Sequence, residues 1–329
     1  MKAYNWGILG TGNIAHKFAR ALTLLDNVHL YAVGSRDAGK AAKFAAEFGF
    51  RTHYGSYEEL VADPGVEIIY ISSPHSHHLQ HTLLALRNGK HVICEKPMSV
   101  TAPEVQMMAD EARKQGLFLM EALWPPFQPS YQKAEEILHS GKMGKLIHMS
   151  GKFAFISPYD PELRTYNTEL GGGSLLDIGI YPVMDILRYM GEPETILASA
   201  VLSPTGADES TSVLFKFGDG RLAEAYCSFV SMAGISTEFN CEKGNLILSR
   251  GKDRGQHLLI EYPNDSEDRV FNPPAQGYQH EAVEVMNCLD KGLKESPVVP
   301  LSFSITLART LDAVRKKAGI KYPGRDRKE

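Results

Sequence analysis

At 329 residues, with 43% hydrophobic and 22% charged residues, the chain has an ordinary globular composition and is long enough for more than one hydrophobic core. A formal net charge of −4 without a long basic run excludes an electrostatic footprint for nucleic acid. The four cysteines, Cys94, Cys227, Cys241 and Cys288, have neither disulfide-framework nor zinc spacing, and no window reaches about 18 consecutive apolar residues.

The chain runs straight into a strand-like segment, Tyr4 to Leu9, with no apolar signal region, so a cytoplasmic protein with no membrane partner is expected. Gly10-Thr11-Gly12-Asn13-Ile14-Ala15 follows, and then Phe18, Ala21, Leu22 and Leu25 recur at helical spacing. This G-x-G-x-x-A pattern between a strand and a helix fits a dinucleotide-binding turn. Gly10 permits the tight turn, Gly12 lets the backbone approach a pyrophosphate, and Ala15 allows close helix packing. The helix amino terminus brings unpaired N–H groups and a positive dipole end to the phosphates.

A second strand, Val28 to Val33, ends in Gly34-Ser35-Arg36-Asp37. A carboxylate there would favour NAD, through the ribose 2′-hydroxyl, whereas arginine accommodates a 2′-phosphate. Ser35 and Arg36 therefore favour NADP, with NAD left possible by Asp37, which is also placed to cap a helix over Ala38 to Phe48.

A helix near Tyr57 to Ala62 and a strand at Glu67 to Ile71 lead into the loop Ser72-Ser73-Pro74-His75-Ser76-His77-His78. His75, His77, His78, His81 and His91 raise a metal reading, but no cysteine or carboxylate stands nearby at ligand spacing, so no metal is expected. Ser73, Pro74, His75 and His78 read instead as a polar wall beside the cofactor.

After a helix from about Leu79 to Arg87, the short apolar run ending at Cys94 reads as a buried strand, followed by Glu95-Lys96-Pro97. Ligands bind beyond the carboxyl ends of strands in open α/β sheets, which places Lys96 well for chemistry. A helix over Pro103 to Lys114 and a strand over Leu117 to Met120 complete an alternating pattern that calls for a parallel sheet.

Beyond Trp124-Pro125-Pro126-Phe127 the pattern changes, so the boundary falls near residue 125, giving domains of residues 1–124 and 125–329. A helix from Ser130 to His139 precedes Leu146 to Ser157, which alternates in the two-residue strand period. Further strands are expected over Thr195 to Ser203, Thr211 to Phe217, Leu222 to Val230, Ser236 to Cys241, Asn245 to Ser249 and His257 to Tyr262. Hairpin turns at Gly218-Asp219-Gly220 and Lys243-Gly244 make this sheet antiparallel, with one face covered by helices and one open to a partner. Asn264 to Tyr278 reads as a loop, and the charge-dense tail Lys321 to Glu329 as a solvated terminus.

Between these strands lies Leu170-Gly171-Gly172-Gly173-Ser174, with Ser174 a candidate N-cap for a helix reaching about Met190. Asp177, Tyr181 and Asp185 follow one another at intervals of four, which would align them on one helix face. A polar stripe facing a cleft and a set of ordinary capping and core residues fit that spacing equally well.

Together these motifs resemble the glucose-fructose oxidoreductase/inositol dehydrogenase (Gfo/Idh/MocA) family. The resemblance runs from Gly10-Thr11-Gly12 through Glu95-Lys96-Pro97 to Gly171-Gly172-Gly173-Ser174-Leu175-Leu176-Asp177-Ile178-Gly179. It implies a Rossmann domain, a carboxyl-terminal α+β domain with a large, mostly antiparallel open-faced sheet, and nicotinamide-dependent chemistry on a hydroxyl and carbonyl pair. It also implies a cis bond at Lys96-Pro97 and a homodimer or homotetramer formed through the open sheet.

Many members carry histidine four residues after the helix aspartate, where this chain has Tyr181. That departure, Glu121-Ala122-Leu123-Trp124 and the ending Gly319-Ile320-Lys321-Tyr322-Pro323 resemble the dihydrodiol dehydrogenase branch and some sugar dehydrogenases. An arginine-phenylalanine pair common in that branch after the tryptophan is replaced here by Pro126-Phe127.

The roles then expected are Tyr181 as acid/base, Lys96 favouring its phenolate and orienting the substrate hydroxyl, and Asp177 holding a second hydroxyl. Trp124, Phe153 and Phe155 are candidates for an apolar wall, and Arg164 for a residue reaching the site. The substrate class is a polyol, sugar or trans-dihydrodiol, with NADP preferred. Two alternatives accompany it, an NAD-dependent glycoside hydrolase of the same family and a non-catalytic nucleotide-binding regulator.

Overall fold

The computed structural model describes residues 2–250 and 255–326. Two compact units are present: Met1–Phe127 with Pro273–Ile305, and Gln128–Asn272 with Thr306–Glu329. The expected second domain therefore surrenders residues 273–305 to the first unit.

In the first unit, β1 (Tyr4–Leu9), α1 (Asn13–Leu22), β2 (Val28–Gly34), α2 (Ala38–Phe48) and β3 (Thr52–Tyr54) lead to α3 (Tyr57–Ala62) and β4 (Ile68–Ile71). Then come α4 (His78–Arg87), β5 (His91–Glu95), α5 (Ala102–Gln115) and β6 (Leu119–Ala122). All strand pairs are parallel in the order β3-β2-β1-β4-β5-β6, the arrangement that alternating strands and helices require. Buried Ile, Val and Leu fill β1, β4 and β5 because helices cover both faces of such a sheet. Helix boundaries follow local chemistry: Asp37 accepts from Lys40 N at 3.0 Å, Ser56 from Glu59 N at 3.2 Å, and Thr101 with Glu104 forms a capping box.

The second unit opens with α6 (Pro129–His139), β7 (Leu146–Ile156) and α7 (Ile180–Met190). β8 (Thr195–Leu202), β9 (Asp208–Lys216), β10 (Leu222–Ser228), β11 (Val230–Cys241), β12 (Gly244–Arg250), β13 (Gln256–Tyr262) and β14 (Asp265–Phe271) follow. Their order is β14-β13-β12-β11-β7-β10-β9-β8, antiparallel except where β10 runs parallel to β7. α7 packs on β7, and α6 on β12 to β14, covering one face. The other face carries exposed Leu197, Val201, Leu214 and Leu222.

β14 lies in the stretch expected to be a loop, and the three-residue β3 has no counterpart in the expected elements. α8 (Gln279–Asp290) belongs to the first unit and packs against α1, and α9 (Leu301–Ala318) crosses from the first unit's residues into the second's. The tail is not simply solvated: Tyr322 is buried, and Arg315 pairs with Asp312 and Asp326. Of its residues, 327–329 lie outside those described.

Candidate active site

The first unit carries the residues expected to face the nucleotide. Gly10 turns out of β1 with φ +104°, a conformation that strains any side chain, and its N–H donates to Gly34 O at 2.9 Å. Gly12 stands at the N-cap of α1 with no side-chain cap and open space where a Cβ would be. Thr11, Asn13 and Ile14 complete the turn, which leaves the first N–H groups of α1 without a side-chain cap, the kind of helix end that receives phosphates.

At the end of β2, Asp37 is committed to capping α2, while Ser35 Oγ accepts from Asp37 N at 3.3 Å. Burial pushes the Tyr57 phenol up, and the Arg36 guanidinium opposes that rise, which puts Arg36 beside Tyr57.

His78 is buried and clamps two segments. Its Nδ1 lies 2.8 Å from Pro97 O and its Nε2 2.8 Å from Ser73 O, tying the Ser73-Pro74-His75 loop to the turn after Lys96. The rings of His77 and His81 stack at 5.7 Å, and Gln80 Nε2 lies 2.8 Å from His77 Nδ1. Burial, then the neighbouring histidines and Arg36, hold His81 down to about 4. Among the described residues no cluster of three or more His, Cys, Asp or Glu is placed to hold a metal ion.

The Lys96-Pro97 bond is cis. Glu95 is buried and fully engaged: Tyr70 OH donates to Oε1, and Lys96 N to Oε2 at 3.2 Å. Glu121 Oε1 accepts from Met98 N at 2.8 Å, fixing the residue after the cis proline, and burial pushes this carboxyl up to about 7. Glu281, on α8, is pushed well above its usual range by burial and then by Glu95. Trp124 meets Tyr278, with ring centroids 5.7 Å apart. Sequence reasoning did not single out Tyr57, Tyr70, Glu121, Tyr278 or Glu281 as neighbours of these groups, since only the buried setting of each distinguishes it.

The second unit carries Phe153, Arg164, Asp177 and Tyr181. Here the chain departs from the expected helix: Leu175–Gly179 is a π-helical turn that passes into α7. Ser174 stands at the N-cap position of this turn, but its side chain does not cap it. Its backbone is already helical, and its hydroxyl donates to Asp208 Oδ2 at 2.7 Å. Arg164 Nη2 donates to both Asp177 oxygens, at 3.1 and 3.2 Å, so the aspartate is held as an ion pair. The Tyr181 ring stacks on Phe153 of β7, centroids 5.4 Å apart and planes 28° apart. Phe155 meets Phe153 edge-on at 6.2 Å and is itself exposed.

Asp185 leaves the expected polar stripe. It is buried, accepts from Thr237 Oγ1 at 2.5 Å and Tyr131 OH at 3.2 Å, and is pushed up by burial to about 7. Its place is in the packing of α7 against β11 and α6.

Comparison with known proteins agrees with both units. Residues 4–123 match the oxidoreductase family described by its NAD-binding Rossmann fold, and residues 131–247 match the GFO/IDH/MocA C-terminal domain. The chain is 38% identical to trans-1,2-dihydrobenzene-1,2-diol dehydrogenase of Mus musculus and 36% identical to that of Homo sapiens, each over 98% of both chains. Among solved structures, KijD10, a 3-ketoreductase from Actinomadura kijaniata in complex with NADP and TDP-benzene, superposes with a TM-score of 0.87 at 24% identity, covering 96% of this chain and 98% of that one. Levoglucosan dehydrogenase in complex with NADH and L-sorbose gives 0.87 at 17% identity, covering 98% and 100%. At those identities the likeness bears on fold. The two matching domains and the full-length relatives show that the chain belongs to the Gfo/Idh/MocA oxidoreductase family and is an NAD(P)-dependent dehydrogenase acting on CH–OH groups.

Proposed function

We propose that the protein is an NADP-preferring dehydrogenase of vicinal diols, a trans-dihydrodiol or an aldose, in which Tyr181 moves the proton. The observation that carries this reading is that Tyr181 is stacked on Phe153 while Asp177, four residues earlier in the chain, is held by Arg164. Relatives named for a trans-dihydrodiol, 34–38% identical over 98% of this chain, support the diol as substrate class.

A vicinal diol presents two hydroxyls, and the chemistry needs them treated differently. Tyr181 takes the proton from the hydroxyl being oxidised, or returns it in the reverse direction. The Lys96 ammonium favours the phenolate this requires and orients the same hydroxyl. Asp177 accepts a hydrogen bond from the second hydroxyl, and Arg164 directs that carboxylate. Trp124 and Phe153 contribute apolar surface to the ring or carbon chain of the substrate. When bound, the nicotinamide accepts or donates the hydride.

Gly10, Thr11, Gly12, Asn13 and Ile14 hold the diphosphate at the start of α1. Ser35 and Arg36 receive the 2′-phosphate, a preference supported by the commitment of Asp37 to its helix. Ser73, Pro74, His75, His78, Glu95 and Pro97 line the cofactor, with His78 tying two of these segments together. The exposed leucines and valine on the open face of the eight-stranded sheet support a homodimer or homotetramer formed there, in a cytoplasmic setting.

The test is nicotinamide absorbance with NADP⁺ or NAD⁺ and a panel of trans-dihydrodiols, aldoses and inositols. Turnover of a vicinal diol with NADP⁺ ahead of NAD⁺ is expected. Silence towards every diol, with NADPH binding intact, would contradict the assignment.

A further inference from the structure

Asp208, the first residue of β9, is fully buried and has no part in the reaction described above. Its Oδ2 gathers three donors: Ser174 Oγ at 2.7 Å, Leu175 N at 2.7 Å and Thr211 Oγ1 at 2.8 Å. Two of the three come from the start of the π-helical turn, which holds Asp177 and continues into α7 and Tyr181.

The other oxygen, Oδ1, has no hydrogen-bond partner among the described residues, and neither has the buried hydroxyl of Tyr322. Both crowd Gly173, whose φ is +120°: a Cβ there would lie 2.2 Å from Asp208 Oδ1 and 3.3 Å from the Tyr322 hydroxyl. Gly173 N also donates to Thr165 O at 2.9 Å, so the residue before the turn is fixed from two sides.

Burying a carboxylate with one oxygen unmatched is costly, and simple capping does not require it. A π turn, by contrast, demands firm anchoring. It accommodates one more residue than an α turn, and relaxing it to α geometry would rotate everything downstream by about 100° per residue. Tyr181 lies directly downstream, and its ring must stay on Phe153.

We propose that Asp208 is a positioning residue for the reaction, holding the π-helical turn in register so that Asp177 and Tyr181 leave it in the directions the chemistry needs. The proposal rests on the reading of Tyr181 and Asp177 as the groups that meet substrate.

The test compares Asp208→Ala, Asp208→Asn and Ser174→Ala with Tyr181→Phe in the full chain. NADPH affinity, thermal unfolding, and kcat and KM for a diol turned over by the unaltered protein are each measured. Asp208→Ala is expected to lower kcat at least about tenfold with NADPH affinity within about twofold, and Asp208→Asn, which retains an acceptor oxygen, to recover most of that loss. If Asp208→Ala does not fold, Ser174→Ala decides: it removes one donor and is expected to lower kcat severalfold in protein that stays folded at the assay temperature and binds NADPH normally.

Folded Asp208→Ala with kcat within about threefold of the unaltered protein would overturn the proposal, as would reduced melting temperature with unchanged kcat per NADPH site. Where Ala does not fold, unchanged kcat in Ser174→Ala would do the same. Normal turnover in Tyr181→Phe would instead remove the reading on which the proposal rests, whatever the Asp208 variants do.

Discussion

Phe153 and Tyr181 stack with ring centroids 5.4 Å apart and planes inclined by 28°, one ring on a central strand of the large sheet and the other on the helix that follows the π turn. The stack gives the tyrosine hydroxyl a fixed bearing. Truncating Phe153 to alanine removes an aromatic pair worth about 0.5–1.5 kcal/mol beyond its buried area, and lets the tyrosine ring swing. The expected result is a kcat lower by about tenfold, measured by steady-state kinetics, with Phe153→Tyr retaining most of it.

Arg164 holds Asp177 through one guanidinium nitrogen shared between both carboxylate oxygens. Arg164→Met keeps the bulk of the stem and removes that restraint. KM for the diol is expected to rise by about tenfold while NADPH affinity stays constant. Because in the proposed function both residues serve one contact with substrate, Arg164→Met combined with Asp177→Asn should cost less than the sum of the single changes.

Asp37 Oδ1 caps the amino terminus of α2, and in the proposed function Arg36 is the residue whose charge discriminates between the two nicotinamide nucleotides. Arg36→Ala is expected to weaken NADPH binding by about tenfold to hundredfold, the range for charge-assisted hydrogen bonds, and to leave NADH binding nearly unchanged. Equal losses for both nucleotides in a fluorescence titration would place the arginine elsewhere on the cofactor.

Asp185 tests the electrostatics of burial. Facing it are Tyr131 of α6, Thr237 of β11, and Arg188 and Tyr189 of α7, and burial raises its carboxyl to about 7. A carboxyl raised in the folded state binds its proton more tightly there than in the unfolded chain. Its contribution to stability is therefore complete below the unfolded value and is lost as pH rises through about 7. Asp185→Asn removes that ionisation. Relative to the unaltered protein, it should be more favourable at pH about 8 than at pH about 5 in thermal unfolding, and a difference independent of pH would contradict the shift.

The parts legible in the sequence are those decided locally. Gly10-Thr11-Gly12 announces its turn because the backbone geometry demands glycine, and Asp37 announces a helix start because its side chain answers the N–H groups beside it. β14 was not legible: Asp265, Ser266, Glu267, Asp268 and Arg269 show no apolar alternation, and the strand exists because β13 offers an edge to pair with. The π turn was hidden because a run of leucines and isoleucines suits α and π geometry alike. Asp185 was placed in the stripe by its spacing, but its burial depends on Tyr131 and Thr237, residues 54 and 52 positions away. The role of Asp208 was hidden because, Thr211 apart, its partners lie 34 and 33 residues earlier, at Ser174 and Leu175.

Proton transfer by Tyr181 is the central claim, and Tyr181→Phe tests it directly. The measurement is single-turnover hydride transfer from a vicinal diol that the unaltered protein oxidises, alongside NADPH titration of the same sample. A rate lower by at least about a hundredfold with NADPH affinity unchanged is the predicted result. A near-normal rate with phenylalanine in place would contradict the account and assign the acid/base role to another residue.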